Sequence, residues 1–269
     1  MTQEQQKDSK KRFCLRLAFR GNNHSGFQWQ PGKETIQKSI EAALHRILRE
    51  ETRVIPSGRT DAGVGAIEHF VHFDLRTKKA IDRIQKPDFA HRLDQILPSS
   101  ISARSIKAVK ESFHARNKAK SKTYVYQLLI SPRKNPIMDE LCWRLPHKDL
   151  DVARMQKAAE SLLGTHDFRS FCASDDTAAS KIKTITDIKI KTSKPAAFFA
   201  LDQERYVSIQ VSGSGFLKQM VRNIVGTLVD VGIGKLKASE VKTILKSQDR
   251  RKASRTAPAH GLYLKKVRY

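Results

Sequence analysis

The chain has 269 residues, of which 39% are hydrophobic and 29% are charged, a balance typical of a folded protein of one or two domains. Lysines and arginines outnumber aspartates and glutamates by 51 to 27, a net charge of +24, and such a field attracts polyanions, nucleic acid first. No segment approaches the roughly 18 apolar residues of a membrane-spanning helix, and the polar residues 1–12 do not resemble a secretory signal.

In the N-terminal half, hydrophobic patterning predicts two helices among three strands. Apolar residues alternate with others over 13–19, which indicates a half-buried strand. Thr35 is a suitable N-cap for a helix of about 15 residues. The remaining elements expected here are strands over 69–75 and 101–109 and a helix over 88–97.

The C-terminal half shows the same mixture of strands and helices. A helix should begin at Asp149 or Asp151 and stop at Gly164, because a glycine commonly ends a helix. The other elements expected here are strands over 123–130, 182–191, 206–212 and 262–267, a strongly apolar helix over 216–231 and another helix over 238–246. This mixture predicts an α+β protein with two sheet-bearing domains.

The polar, basic stretch 111–122 is the expected linker between the halves. We therefore expect a disordered lead over 1–11, an N-terminal domain over 12–111 that holds the glycine-rich loop at 57–65, and a C-terminal domain over 112–269.

The segment Ser-Gly-Arg-Thr-Asp-Ala-Gly-Val-Gly at 57–65 places one carboxylate, Asp61, among three glycines. Glycines let the backbone approach a ligand closely, and a lone carboxylate on such a loop can act as a nucleophile at an anomeric carbon. Bracing of the turn is the commoner role of an aspartate in this setting, so the local pattern leaves both roles open.

A basic segment further along leads into two tyrosines. Even-numbered positions carry the cations Arg116, Lys118, Lys120 and Lys122 and then Tyr124 and Tyr126. An extended chain would place these side chains on one side, where cations could follow an RNA backbone and the rings could stack on bases. The alternative is a solvated linker that leads into a strand whose tyrosines are core residues.

The apolar helix expected over 216–231 carries two cations, Lys218 and Arg222, spaced four apart on one face. A cation on an apolar helix requires an anionic partner, because an unpaired buried charge is costly. Asp61 would be a suitable partner for Arg222, although the arginine could also extend to solvent.

Cysteine and histidine spacing gives no metal or redox signal. The three cysteines, Cys14, Cys142 and Cys172, are widely separated, which suits a reducing, cytoplasmic compartment. Histidines such as His69 and His72 lack ligand spacing and are expected to be packing or surface residues. We therefore expect no metal, and the absence of a nucleotide-cofactor motif predicts that no cofactor is needed.

Four ordered segments together resemble the tRNA pseudouridine synthase A family, over nearly the whole chain from about residue 13. They are Gly-Arg-Thr-Asp-Ala-Gly-Val at 58–64, Phe-His-Ala-Arg at 113–116 with Lys-Thr-Tyr-Val-Tyr at 122–126, Met-Val-Arg-Asn-Ile-Val-Gly-Thr at 220–227, and Thr-Ala-Pro-Ala-His-Gly-Leu-Tyr-Leu at 256–264.

The resemblance implies isomerisation of uridine to pseudouridine at positions 38, 39 and 40 of the tRNA anticodon arm. It implies that Asp61 is catalytic, that Tyr124 contacts the substrate, that Arg222 forms an ion pair and that Arg59 helps to hold the flipped nucleotide. It also implies two α+β domains that share an extended, mixed or antiparallel sheet with helices on one face and an RNA-binding cleft. The family usually forms homodimers.

Three other functions fit the sequence less well. A non-catalytic tRNA-binding paralogue or RNA chaperone of the same fold should lack the nucleophile, whereas Asp61 is present. A glycosidase normally needs two carboxylates across the bond, and the loop offers one. A DNA-binding regulator would need a recognition helix, and none is evident.

Overall fold

A computed structural model of the chain describes residues 10–146, 149–193 and 204–269. Contacts divide the chain into two compact units, the first running to Ala119 and including Tyr269, the second spanning Lys120–Arg268. The predicted boundary lay between residues 111 and 112, and those domain limits stay predictions. Residues 1–9 of the expected N-terminal lead lie outside the described residues, and the first strand starts at Lys11.

The first unit is an antiparallel sheet with three helices. In chain order its elements are β1 (Lys11–Phe19), α1 (Ile36–Leu48), β2 (Ile55–Pro56), β3 (Gly65–Leu75), α2 (Lys78–Ile84), α3 (Phe89–Ile96) and β4 (Ile101–Val109). β1 lies between β4 and β3, and β2 pairs with the other side of β3. The period-two pattern correctly predicted β1, whose Phe13, Leu15, Leu17 and Phe19 are all buried.

The cap predicted for α1 is confirmed. The Thr35 side chain accepts a hydrogen bond from the Lys38 amide at 3.3 Å, and this bond satisfies one of the unpaired amides of the first turn. The apolar face of α1 then packs into the core, with Ile40 and Leu44 fully buried.

The second unit holds a larger sheet. Its elements are β5 (Ser121–Ile130), β6 (Trp143–Leu145), α4 (Val152–Glu160), β7 (Gly164–Asp167), β8 (Ile182–Ser193), β9 (Arg205–Gly213), α5 (Met220–Gly232), α6 (Ala238–Ser247) and β10 (Leu262–Arg268). The strand order is β10-β5-β9-β8-β7, antiparallel throughout, and β6 pairs in parallel with β5. The α+β class with a sheet in each half is therefore confirmed.

The predicted end of α4 was wrong. The helix stops at Glu160, and Gly164, with φ of +96°, begins β7 instead. Between the helix and the strand the chain forms a turn. In it the Leu162 amide donates to Ala159 O and the Leu163 amide donates to Glu160 O. The glycine thus starts a strand rather than ending the helix.

The three cysteines are free thiols. Burial raises the pKa of Cys14 and Cys172 to about 11 and that of Cys142 to about 12, so each is uncharged and poorly nucleophilic at neutral pH. Within the described ranges, no helix has both the length and the apolar character needed to cross a membrane.

Candidate active site

The loop that carries Asp61 connects β2 to β3 in the first unit and is fixed at its first end by β3 itself. The Ser57 amide donates to Phe70 O at 2.7 Å, and the Ser57 hydroxyl accepts from the Phe70 amide at 3.3 Å. The buried ring of His69 donates from Nε2 to Gly58 O at 2.9 Å. Side chains and backbone of β3 therefore determine how the chain enters the loop.

The segment after β1, residues 21–27, packs against the middle of the loop. The Phe27 amide donates to Thr60 O at 3.1 Å. Gly26 has φ of +87°, and a Cβ there would lie 2.8 Å from Thr60 O. A Cβ on Gly21 would lie only 2.3 Å from Val64 O, so the turn after β1 and the Asp61 loop are in direct backbone contact that only glycine permits.

Asp61 lies at the bend of this loop and is half-buried. The Val64 amide donates to Asp61 O at 3.1 Å, and Gly63, with φ of +82°, completes the turn. Arg59 is exposed two residues earlier. The loop thus holds one carboxylate at a fixed place with a solvent-facing cation beside it in sequence.

Tyr124 lies on β5 in the second unit, with 8% of its surface exposed. Its ring is nearly perpendicular to that of Phe216, at an angle of 87°, with the ring centroids 5.2 Å apart. Tyr126, the other tyrosine expected to offer a stacking surface, is completely buried and donates from its hydroxyl to Pro258 O at 2.7 Å. Of the two interpretations that the sequence left open, the structure supports the core role for Tyr126.

Arg222 projects from the first turns of α5 and is oriented by the segment before β10. Its Nε donates to Ala257 O at 2.8 Å, and the Ala257 amide donates back to Arg222 O at 3.2 Å. Two reciprocal bonds to one residue fix both the backbone and the plane of the guanidinium group.

Asn223 ties the same segment to α5 from within the core. Its Oδ1 accepts from Arg250 at 3.0 Å and from Thr256 at 2.7 Å, while its Nδ2 donates to Phe171 O at 2.8 Å. At Gly226 a Cβ would lie 1.9 Å from Arg255 O. These residues position Arg222, and the sequence pattern assigned none of them a role. Asn223, Gly226 and Thr256 belong to the motifs at 220–227 and 256–264, whereas Arg250 and Phe171 carried no sequence signal.

Comparison with known proteins shows the family to which this chain belongs. A family model described as tRNA pseudouridine synthase matches residues 158–269. The tRNA pseudouridine synthase A of Thermoanaerobacter sp. (strain X514) is 39% identical over 94% of this chain and 97% of its own length. This chain belongs to the tRNA pseudouridine synthase A family.

Further relatives agree with this membership. The tRNA pseudouridine synthase A of Shouchella clausii (strain KSM-K16) is 40% identical over 96% of this chain and 93% of its own length. That of Streptococcus thermophilus (strain CNRZ 1066) is 38% identical over 96% and 99%. Among solved structures, that of an unknown protein from Galdieria sulphuraria is 15% identical, covers 83% of this chain and 92% of its own, and has a TM-score of 0.20.

In this tRNA pseudouridine synthase A family member the expected site residues fall in both units. Asp61 and Arg59 belong to the first unit, and Tyr124 and Arg222 belong to the second. The pairing of Asp61 with Arg222 stays a prediction.

The prediction that residues 116–122 form an extended chain with their cations on one side is wrong. Residues 115–118 form a turn, here called the cationic turn, in which the Lys118 amide donates to His114 O at 2.9 Å. The turn exposes Arg116 and Lys118. Lys120 is also exposed and precedes β5, whereas Lys122 is half-buried within it. The cations therefore do not form one straight row.

Lys218 was wrongly placed on the helix that carries Arg222. Gln219 adopts φ of +59° and α5 begins at Met220, so Lys218 precedes the helix. Its ammonium group forms an ion pair with Asp175 at 2.5 Å, and its amide donates to Asp176 at 2.8 Å. Burial opposes the charge on Asp176, but hydrogen bonds from Lys181, Lys218 and Ala178 lower its pKa to about 2.

Proposed function

We propose that this protein converts uridine to pseudouridine at positions 38, 39 and 40 in the anticodon arm of tRNA. Its membership of the tRNA pseudouridine synthase A family makes it an isomerase. The observation that carries the proposal is the catalytic loop, in which β3 and the turn after β1 hold Asp61 in place.

The reaction is an internal transfer of the base. The N1–C1′ bond of uridine breaks, the uracil turns, and a C5–C1′ bond forms; C5 loses a proton and N1 gains one. Atoms and electrons balance without an oxidant, a reductant or an activated donor. Asp61 would act either as a nucleophile on the ribose or as the base that removes a ribose proton.

The other site residues have distinct roles in this proposal. Tyr124 would stack on the uracil, a use suited to an aromatic ring that is fixed by the perpendicular ring of Phe216. Arg222 would pair with the Asp61 carboxylate and favour its charged form. Arg59 would fill the gap left by the target base, whose extrusion from the stem costs a few kcal/mol.

Phosphate binding would fall to cations of both units. Those proposed to contact the tRNA are Arg116, Lys118, Lys120, Lys122 and Lys218. For Lys218 this requires exchange of the exposed Asp175 carboxylate for a phosphate, and surface ion pairs of this type are weak. We further propose a cytoplasmic homodimer, from the family resemblance, and sedimentation of the purified protein would test the dimer.

The test is to incubate the purified protein with unmodified tRNA without added cofactor and to map pseudouridine by chemical labelling. We expect label at positions 38, 39 and 40 only. Label elsewhere in the tRNA would keep the activity but overturn the positions. Bound tRNA without any pseudouridine would favour the alternative, a non-catalytic tRNA-binding protein or RNA chaperone of the same fold.

A further inference from the structure

The cationic turn is tightly organised for a segment that exposes two long charged side chains. The His114 ring accepts from the amides of Arg116 and Asn117 at 3.3 and 3.2 Å. Ala115, at the start of the turn, is completely buried. The turn therefore has a fixed inner end and an outer end that carries Arg116 and Lys118.

His72 holds the amide of Ala115. This residue of β3 is 1% exposed, and its Nδ1 accepts from the Ala115 N–H at 3.1 Å. An imidazole that accepts at Nδ1 is neutral and protonated at Nε2, and His72 also makes a hydrogen bond with the backbone of Ile55. The His114 ring lies against it at 4.7 Å.

Tyr269 holds the carbonyl of the same residue. Its hydroxyl donates to Ala115 O at 2.9 Å, and its ring packs against Phe113 at 5.0 Å and Phe70 at 5.4 Å. Both main-chain polar groups of Ala115 are thus bonded to side chains that lie far away in sequence. Secondary structure satisfies neither of them.

The residues just before the turn are held in the same way. Arg12 donates from Nη1 to the carbonyls of Glu111 and Phe113 at 2.5 and 2.8 Å. Asp74 fixes the arginine with two bonds of 2.7 and 2.8 Å. The path of the chain into the turn is therefore set by β1 and β3 and does not depend on the turn itself.

We propose that His72 and Tyr269 form a clamp on Ala115 that orients Arg116 and Lys118 toward the phosphates of the tRNA. Both are positioning residues that act through the turn and not by touching the substrate. Cations on a rigid turn lose less conformational freedom on binding than cations on a mobile one. The clamp therefore raises the affinity for tRNA although its own residues do not contact the tRNA. This inference rests on the proposed tRNA substrate.

The first test compares two phenol-to-carbonyl hydrogen bonds. Tyr269→Phe keeps the ring but removes the hydroxyl's bond to Ala115 and its hydrogen bond with the Ser57 side chain. Tyr263→Phe removes a bond of the same length to Leu141 O, and the double-mutant cycle below separates the Ala115 effect from that of Ser57. We expect Tyr269→Phe to weaken tRNA binding about threefold to tenfold, the effect of one lost hydrogen bond, and Tyr263→Phe to leave it unchanged. Equal effects of the two variants, or none, would overturn the clamp.

A double-mutant cycle separates positioning from general stability. Replacing Arg116 and Lys118 by Gln should lower the salt slope of tRNA binding by about 1.5, because two phosphate contacts are lost. Adding Tyr269→Phe to that variant should then cost no further affinity. Additive losses would show that Tyr269 acts elsewhere.

His72 supplies an independent pair of variants. Asn can present an acceptor oxygen near the position of Nδ1, so His72→Asn should retain most of the affinity, whereas His72→Leu should match Tyr269→Phe. Thermal unfolding of each variant reports whether it is folded. Wild-type protein that neither binds nor modifies tRNA would refute the proposed function, whereas active wild-type protein with unaltered clamp variants would refute the clamp alone.

Discussion

At the scale of single residues, Arg222 is oriented by groups that are distant in sequence. Ala257 bonds both its Nε and its carbonyl, and Asn223 secures the chain before Ala257 through Arg250 and Thr256. Helical spacing was enough to single out Arg222 as a cation on an apolar helix. It could not predict these partners, because the segment that supplies them has no periodic pattern of its own.

His72 shows the same limit in the first unit. Period-two alternation placed His69 and His72 on a strand, and their lack of ligand spacing indicated packing or surface residues; both are buried in β3. The pattern could not show that His72 bonds to Ala115, since that contact depends on how residues 111–118 fold back onto the sheet.

The environment of His72 predicts acid sensitivity. Burial and the nearby Arg12 and His114 lower the pKa of His72 to about 4, against the opposing effect of Asp74. The unfolded histidine titrates near 6.5, so the unfolded chain binds the extra proton between these values. The contribution of neutral His72 to the free energy of unfolding should therefore be fully present above pH 6.5. It should fall by up to about 3 kcal/mol as the pH drops toward 4.

Urea unfolding of the wild type and two variants across pH 7 to 4 would measure this contribution. His72→Gln should flatten the dependence in that window, while substitution of the exposed His91 by Gln should leave it as in the wild type. If the free energy of unfolding of His72→Gln depended on pH as it does in the wild type, His72 would not be the source of the acid sensitivity.

At the scale of elements, helices with a cap and a full apolar face were predictable. Thr35 and the spacing of Ile36, Ile40 and Leu44 identify α1, and β4 spans 101–109 as the pattern indicated. The short elements α2, β2, β6 and β7 were missed, since two to seven residues hold too few apolar positions to show a period.

The start of α5 was misplaced for a related reason. Apolar residues continue upstream of the helix, so periodicity extended it to residue 216. The positive φ of Gln219 and the bond from the Lys218 amide to Asp176 set the true start at Met220. A hydrophobic pattern shows neither of these features.

Gly226 on α5 offers a test in which helix propensity and packing act in opposite directions. Glycine to alanine inside a helix usually stabilises by about 1 kcal/mol. Here the new Cβ would lie 1.9 Å from Arg255 O and displace the segment that orients Arg222. We expect Gly226→Ala to destabilise by about 1–3 kcal/mol and to lower the rate of tRNA modification.

Gly215→Ala is the matched control, since nothing lies within 4 Å of its Cβ position. Urea unfolding should show a change within about 0.5 kcal/mol for this variant. A stabilised Gly226→Ala protein with full activity would mean that the Arg255 contact is dispensable.

At the scale of the whole molecule, the net charge of +24 predicts how binding responds to salt. Each phosphate that a cation neutralises releases counterions, so affinity falls steeply with ionic strength. If at least four phosphates are contacted, raising salt from 50 to 200 mM should weaken tRNA binding about a hundredfold. Affinity that hardly changes over this range would contradict a phosphate-based interface.

The most direct test of the proposed catalytic role replaces the Asp61 carboxylate by an amide of the same shape. Single-turnover formation of pseudouridine and tRNA affinity should be measured side by side for the wild type and Asp61→Asn. Loss of an essential catalytic carboxylate predicts a rate at least about a thousandfold lower with nearly unchanged affinity. A variant that still modifies tRNA at close to the wild-type rate would show that Asp61 is not the catalytic residue.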